Sequence, residues 1–249
     1  SPLTAVLMAS SMNFIGALSG TAVAKAVGKG VVDPDSITLV VVAGGVAAAA
    51  TWVFVATRFG MPVSGSHSLI AGVAGAGIAH AGLGVLVAGG IRKILLGLMF
   101  SPMFGLLGGY IVMLAIYWAF RRATPALITT LFGRLQMATA AAMAFSHGSN
   151  DAQKTMGIIT LGLAVFYKWG ETGQAFEVPF WVVLLSASVM AMGTYLGGHR
   201  VIQTLGVRIV NMRPVHGFAA EGSAATVIEF ATRIGVPVST THVITSCIL

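Results

Sequence analysis

Two hexapeptides share one pattern, PVSGSH at Pro62–His67 and PVSTTH at Pro237–His242. Proline suits the first turn of a helix. Hydroxyl side chains beside it can cap that turn, and the free N–H groups of a helix start attract anions. The chemistry on offer is anion binding, with donors Ser64, Gly65, Ser66 and Ser68 from one copy and Ser239, Thr240 and Thr241 from the other. Taken singly, each copy reads better as a turn capped by its own side chains; two copies in apolar surroundings reverse that preference. A further polar cluster, SHGSNDAQKTMG at Ser146–Gly157, sits inside another apolar run. A carboxylate in such a run is costly and needs a partner. Asn150 and Asp151 carry oxygens suited to a hard cation, and Asp151 is the candidate Na+ ligand. Lys154, three residues on, shares the helix face of Asp151, so the alternative is a local ion pair with a structural role only. Gly148 and Gly157 would let this helix unwind or let another helix approach. His147 reads as a packing residue or a proton relay. His67 and His242 either position the two turns or touch the anion. Glu221 is a second candidate for a cation or a proton, and Glu229 is expected to face Arg233, four residues on.

Helices in a membrane must position these groups. The chain has 249 residues, 56% of them apolar and 8% charged, against about 25% charged in a typical soluble domain. Ser1–Ala24, Ser36–Thr57, Phe59–Ile91, Ile94–Phe120 and Val178–His199 contain no Asp, Glu, Lys or Arg. A bilayer-spanning helix needs about 20 such residues. The net charge of +7 does not point to nucleic acid, because basic residues such as Lys25, Arg58, Arg92, Arg121 and Arg122 sit at the ends of apolar runs, as interfacial anchors do. The single Cys247 excludes an internal disulfide. No His pair has zinc-helix spacing, and no acid partner for a Ser66–His67 pair is evident, so neither metal chemistry nor enzymatic hydrolysis is expected and no cofactor is called for. Spans are expected at Leu3–Ala24, Ile37–Thr57, Ile94–Phe120 with a kink at Ser101-Pro102, Leu135–Tyr167, Val178–His199 and, more weakly, Gly217–Thr232. The Phe59–Gly90 and Ile234–Leu249 segments are too interrupted for simple rods.

An internal repeat organises the chain. ATRFGMPVSGSH (Ala56–His67) matches ATRIGVPVSTTH (Ala231–His242) without a gap at an offset of 175 residues. A weaker echo pairs Gly16 and Gly20 with Gly193 and Gly197, followed by the loops KAVGKGVVD and IQTLGVRIVN. The reading is a first repeat over 1–120, a connecting loop at 121–134 and a second repeat over 135–249. The polar cluster at Asn150-Asp151 has no counterpart 175 residues earlier, so the chain reads as truncated at both ends. Duplicated broken helices with their starts converging near the bilayer midplane are how repeat-built transporters hold a solute.

Taken together, NFIGALSGTAVAKAVGKGVVDP, PVSGSHSLIAG, FSHGSNDAQKTMGI, PVHGFAAE and PVSTTHVI strongly resemble the inorganic phosphate transporter (PiT) family, over nearly the whole chain. The resemblance implies an all-α, multi-pass integral membrane protein with two inverted repeats and two re-entrant helical hairpins around a central anion site. It implies symport of inorganic phosphate with H+ or Na+, and a homodimer in the cell membrane. Some relatives carry sulfate, which is the alternative substrate, and a passive anion channel is the weaker alternative mechanism. Gly148, Asn150 and Asp151 match the family's second GxND motif, so Asn150 counts in both the phosphate and the cation sets. The family's fuller motif has Asn three residues after the Asp; here that residue is Lys154. The departure puts a sodium site at this half in doubt and suggests that the Lys154 ammonium replaces one bound cation.

Overall fold

The computed structural model describes residues 2–197 and 212–249. Among them the chain is almost entirely helical: α1 (Pro2–Ala17), α2 (Ala22–Gly30), α3 (Leu39–Arg58), α4 (Gly65–Ala81), α5 (Ala88–Ala119), α6 (Pro125–Phe166), the short α7 (Trp169–Thr172), α8 (Phe180–Leu196), α9 (Pro214–Arg233) and α10 (Thr240–Ile248). In α3 and α5 the helix is long and apolar enough to cross a membrane, and α1 with α2 adds a third if that bent pair counts as one span. Large apolar side chains point outward along them, including Phe54, Leu107, Tyr117 and Trp118. Water would not tolerate so continuous an apolar exterior.

The expected single span Leu3–Ala24 is two helices, bent by 70° at a break. The hydroxyl of Ser19 takes the Gly16 carbonyl at 2.6 Å, competing with the helix for its own acceptor. The new helix α2 gets its start from outside, where Gln153 Oε1 accepts the Val23 N–H at 2.8 Å. The stretch 121–134, expected as a loop, is helical from residue 125, because Pro125 sits in the first turn and Thr124 caps the Leu127 N–H. At Ser101-Pro102, the site of the expected kink, α5 runs through without a break. Proline leaves the carbonyl four residues back without its N–H partner, and Ser101 Oγ donates to that atom, Leu98 O, at 3.1 Å. The loop IQTLGVRIVN of the weak echo and the end of the expected span Val178–His199 lie outside the described residues.

Helix α6 is the central post, 42 residues long and therefore about 63 Å at ~1.5 Å per residue. It packs against α1, α2, α8 and α9, and its polar cluster stays helical throughout. Of the two roles open to Gly148 and Gly157, close approach is the one realised. A Cβ on Gly148 would stand 2.1 Å from Asn13 O of α1, and one on Gly157 2.5 Å from Ala24 O of α2. Both obstacles are backbone. Gly148→Ala should therefore cost about 1–3 kcal/mol, read as a lower melting temperature of the purified protein in detergent.

Candidate functional site

The two hexapeptides fold alike. Each preceding helix ends at a glycine with positive φ, Gly60 at 70° and Gly235 at 66°. The next N–H reaches back to close the turn, Met61 to Ala56 O at 2.9 Å and Val236 to Ala231 O at 2.8 Å. That closure is the glycine-terminated helix end, which proline often follows. Pro62 and Pro237 thus lie two residues before the capping serines and stop one helix, rather than opening the first turn of the next. Ser64 caps α4 and Ser239 caps α10, at φ/ψ of −82°/109° and −87°/103°. Each serine Oγ accepts the N–H of the histidine three residues on, at 3.2 Å in both copies. The two caps touch, because Ser239 Oγ donates to Ser64 Oγ at 2.8 Å. The rings of His67 and His242 stand beside them with centroids 4.8 Å apart. Two helix N-termini from opposite ends of the sequence therefore meet at one buried point.

Lys154 projects from α6 into this junction and is only 2% exposed. An ammonium has three protons to donate, and all three find oxygen: the Asp151 carboxylate, Ser66 Oγ at 2.6 Å and Val238 O at 2.5 Å. Its acceptors come from α6, from the first hexapeptide and from the second. Asp151 Oδ2 accepts in addition from Thr240 Oγ1 at 2.7 Å and lies 3.1 Å from His147 Nε2. The ion pair is thus not confined to α6; it ties α6 to both capped turns.

His147 has a polar partner at each ring nitrogen. Thr194 Oγ1 donates to Met190 O at 2.9 Å, so it accepts from Asn13 Nδ2 at 3.0 Å. That orients Asn13 Oδ1, an acceptor, toward His147 Nδ1 at 3.0 Å. Both ring nitrogens of His147 then face acceptors, Asn13 Oδ1 and the Asp151 carboxylate. His147 thus links Asn13 of α1 to the Asp151–Lys154 pair.

A model of the phosphate transporter family matches the chain over residues 1–249. The chain belongs to that family. It is a membrane protein of a phosphate-transporting family, 40% identical to a "probable low-affinity inorganic phosphate transporter" of Rhizobium meliloti, over all of this chain and 74% of that protein. It is equally 40% identical to a protein of the same description from Bacillus subtilis, again over all of this chain and 74% of the relative. A solved structure described as "the sodium-dependent phosphate transporter" shares the fold, with a TM-score of 0.84 at 24% identity, over 97% of this chain and 78% of that one.

Against this family background, the residues singled out from the sequence divide into groups. Asp151, Lys154, Ser66 and Thr240 form one hydrogen-bonded cluster, and Ser64 and Ser239 form a separate hydrogen-bonded pair beside it, next in the chain to the Val238 carbonyl that Lys154 reaches. Gly65 is exposed at the first turn of α4. Ser68 donates back to Ser64 O at 2.9 Å and lines an open cavity of about 620 Å³ with His67 and His242. Thr241 lines a second cavity, of about 390 Å³, together with Thr240, His147, Pro62 and Glu221. Glu221 stands apart from the ion pair and accepts from Thr139 Oγ1 at 3.1 Å. Asn150 also stands apart: its Nδ2 donates to Thr232 Oγ1 at 2.7 Å, and its Oδ1 is buried without a partner among the described residues. Glu229 meets Arg233 at 3.0 Å as expected, and also accepts from Ser149 at 3.2 Å. Among the described residues no cluster of three or more His, Cys, Asp or Glu could hold a metal ion. Sequence reasoning missed Asn13, Thr232 and the Val238 carbonyl. Thr232 had a signal, since the repeat aligns it with Thr57; the others had none strong enough to single them out.

Proposed function

We propose that this chain moves inorganic phosphate across the cell membrane in symport with a cation, and that the cation is the proton. The contact between the two capping serines carries this reading. It brings together two helix starts, each a natural anion site, in apolar surroundings where a bare anion would be very costly. Phosphate would enter by replacing the Ser64–Ser239 hydrogen bond with bonds from each hydroxyl to its own oxygens. The ammonium of Lys154, fixed at the same junction, supplies positive charge that low dielectric makes effective.

Two observations support the proton over sodium. Lys154 fills with its own charge the oxygen-lined position between Asp151, Ser66 and Val238 that a hard cation would otherwise suit. His147, 3.1 Å from the Asp151 carboxylate, also borders the 390 Å³ cavity and so offers a route by which a proton could reach the ion pair. Transport would then follow from the two repeats, inverted with respect to one another, rocking about the shared junction, with the two turns acting as re-entrant hairpins. This reading includes a homodimer, which light scattering on the purified protein would test.

The serine contact yields a direct test by uptake kinetics in proteoliposomes. Ser64→Ala and Ser239→Ala should each raise the KM for phosphate by about fivefold, the loss of about 1 kcal/mol of hydrogen bonding. Because the two hydroxyls touch, the double variant should fall short of the product of the singles. Unchanged KM in both single variants would remove the anion from this junction. Competition by sulfate as strong as that by phosphate would reassign the substrate.

A further inference from the structure

Far from the ion pair, the ends of α5, α6 and α9 enclose a hollow of about 320 Å³. Its polar lining is basic: Arg121 at the end of α5, with Arg213 and His216 at the start of α9. His216 Nδ1 accepts the Arg213 N–H at 3.5 Å, which leaves Nε2 as the nitrogen that bears the ring proton. All seven acidic residues of the sequence lie among the described residues, yet none pairs with Arg121 or Arg213; the acids that form ion pairs do so elsewhere, with His147, Lys154, Lys168 and Arg233. The charge of this hollow is therefore not neutralised by a carboxylate of the chain. Tyr117 and Trp118 beside it are 73% and 71% exposed, and the Arg121 guanidinium lies 5.7 Å from the Trp118 ring. Exposed Tyr and Trp next to Arg mark the headgroup level of a bilayer.

The hollow continues into a second one. Met113 and His216 line both it and an adjoining crevice, also of about 320 Å³, between α5, α9 and α10. The crevice is mostly apolar, with Leu106, Tyr110, Ala219 and Ile248 among its walls. A basic chamber at headgroup level that opens into an apolar slot has the shape and polarity of a phospholipid. We propose that this composite groove binds one anionic phospholipid, with its phosphodiester on Arg121, Arg213 and His216 and an acyl chain in the crevice along α5. Basic pockets between membrane helices recognise anionic headgroups by this charge complementarity. None of these residues belongs to the phosphate junction.

Native mass spectrometry tests the site on protein released from nanodiscs of phosphatidylglycerol and phosphatidylcholine in equal parts. The wild type should retain phosphatidylglycerol selectively, and millimolar inorganic phosphate should not displace it. Arg121→Gln with Arg213→Gln should lower retention about thirtyfold, two basic contacts of roughly fivefold weight each at about 1 kcal/mol apiece. The double lysine variant at the same positions should retain the lipid. Both variants should take up phosphate at the wild-type rate in phosphatidylcholine vesicles, which shows that they fold. Equal retention of the two lipids, or retention unchanged in the glutamine variant, would overturn the proposal. Displacement by inorganic phosphate would make the chamber a general oxyanion site instead. A wild type that keeps no lipid, because protein fills the groove, would overturn it too.

Discussion

Asp151→Asn should reduce phosphate accumulation in proteoliposomes to background, a loss of more than about a hundredfold. Asp151 is the one group that touches every part of the candidate coupling machinery: Lys154, Thr240 of the second turn, and His147. An amide in its place keeps the shape. It removes the negative charge that holds Lys154 and the acceptor that faces His147 Nε2. The single variant also strands a buried ammonium, and breaking a buried pair costs about 3–5 kcal/mol. Poor yield alone would therefore be ambiguous. The double variant Asp151→Asn with Lys154→Met resolves this, because removing both charges together is often nearly neutral for stability. It should fold, as judged by its elution and melting in detergent, and still fail to accumulate phosphate. Wild-type accumulation by the double variant would show that the ion pair has no part in transport.

The same ion pair shows how far a sequence can be read. The repeat, an offset of 175 residues carrying Arg, Pro, Ser and His, identified both turns, and in the structure their capping serines stand in contact. Local chemistry sufficed there, because glycine tolerates the positive φ that ends one helix, proline cannot continue it and serine caps the next. The spacing of Asp151 and Lys154 identified the pair, but not its reach. Spacing reports contacts along one helix, whereas Ser66 and Val238 O come from segments 88 and 84 residues away. Asn150 illustrates the opposite limit. Adjacent to Asp151, it reads as part of the same set, yet one residue turns a helix by about 100° and points it at Thr232 of α9. The break at Leu18–Thr21 was hidden for a related reason. Hydropathy is blind to direction, and what stabilises the bend is Gln153, a side chain from α6. The span expected at Leu135–Tyr167 is continuous through its polar cluster, but which of two roles Gly148 and Gly157 play was not legible, since that depends on α1 and α2 lying against them.

If, as proposed, the Lys154 ammonium stands in for a bound cation, replacing it should change what the protein needs rather than merely how well it works. A lysine ammonium is tethered. It can hold phosphate at the junction, but it cannot cross the membrane and dissipate a gradient, so in this half of the molecule no sodium need bind. Uptake by the wild type should be unchanged when sodium is replaced by choline, and should collapse when a protonophore abolishes the pH gradient. Lys154→Asn removes a charge and leaves Asp151 Oδ1, Ser66 Oγ and Val238 O around the vacated position, with an amide oxygen added to them. In choline the variant should lose uptake by roughly 10- to 100-fold, matching charge-assisted hydrogen bonds of about 1.5–3 kcal/mol. Sodium should restore part of it, because a set of oxygens around a carboxylate is what a hard cation seeks. If the wild type already requires sodium, and the variant requires it no more, the ammonium replaces no ion and the coupling cation must bind elsewhere. If the variant is inactive in both salts while its melting temperature is preserved, Lys154 binds phosphate directly and the exchange of a tethered for a mobile cation is refuted.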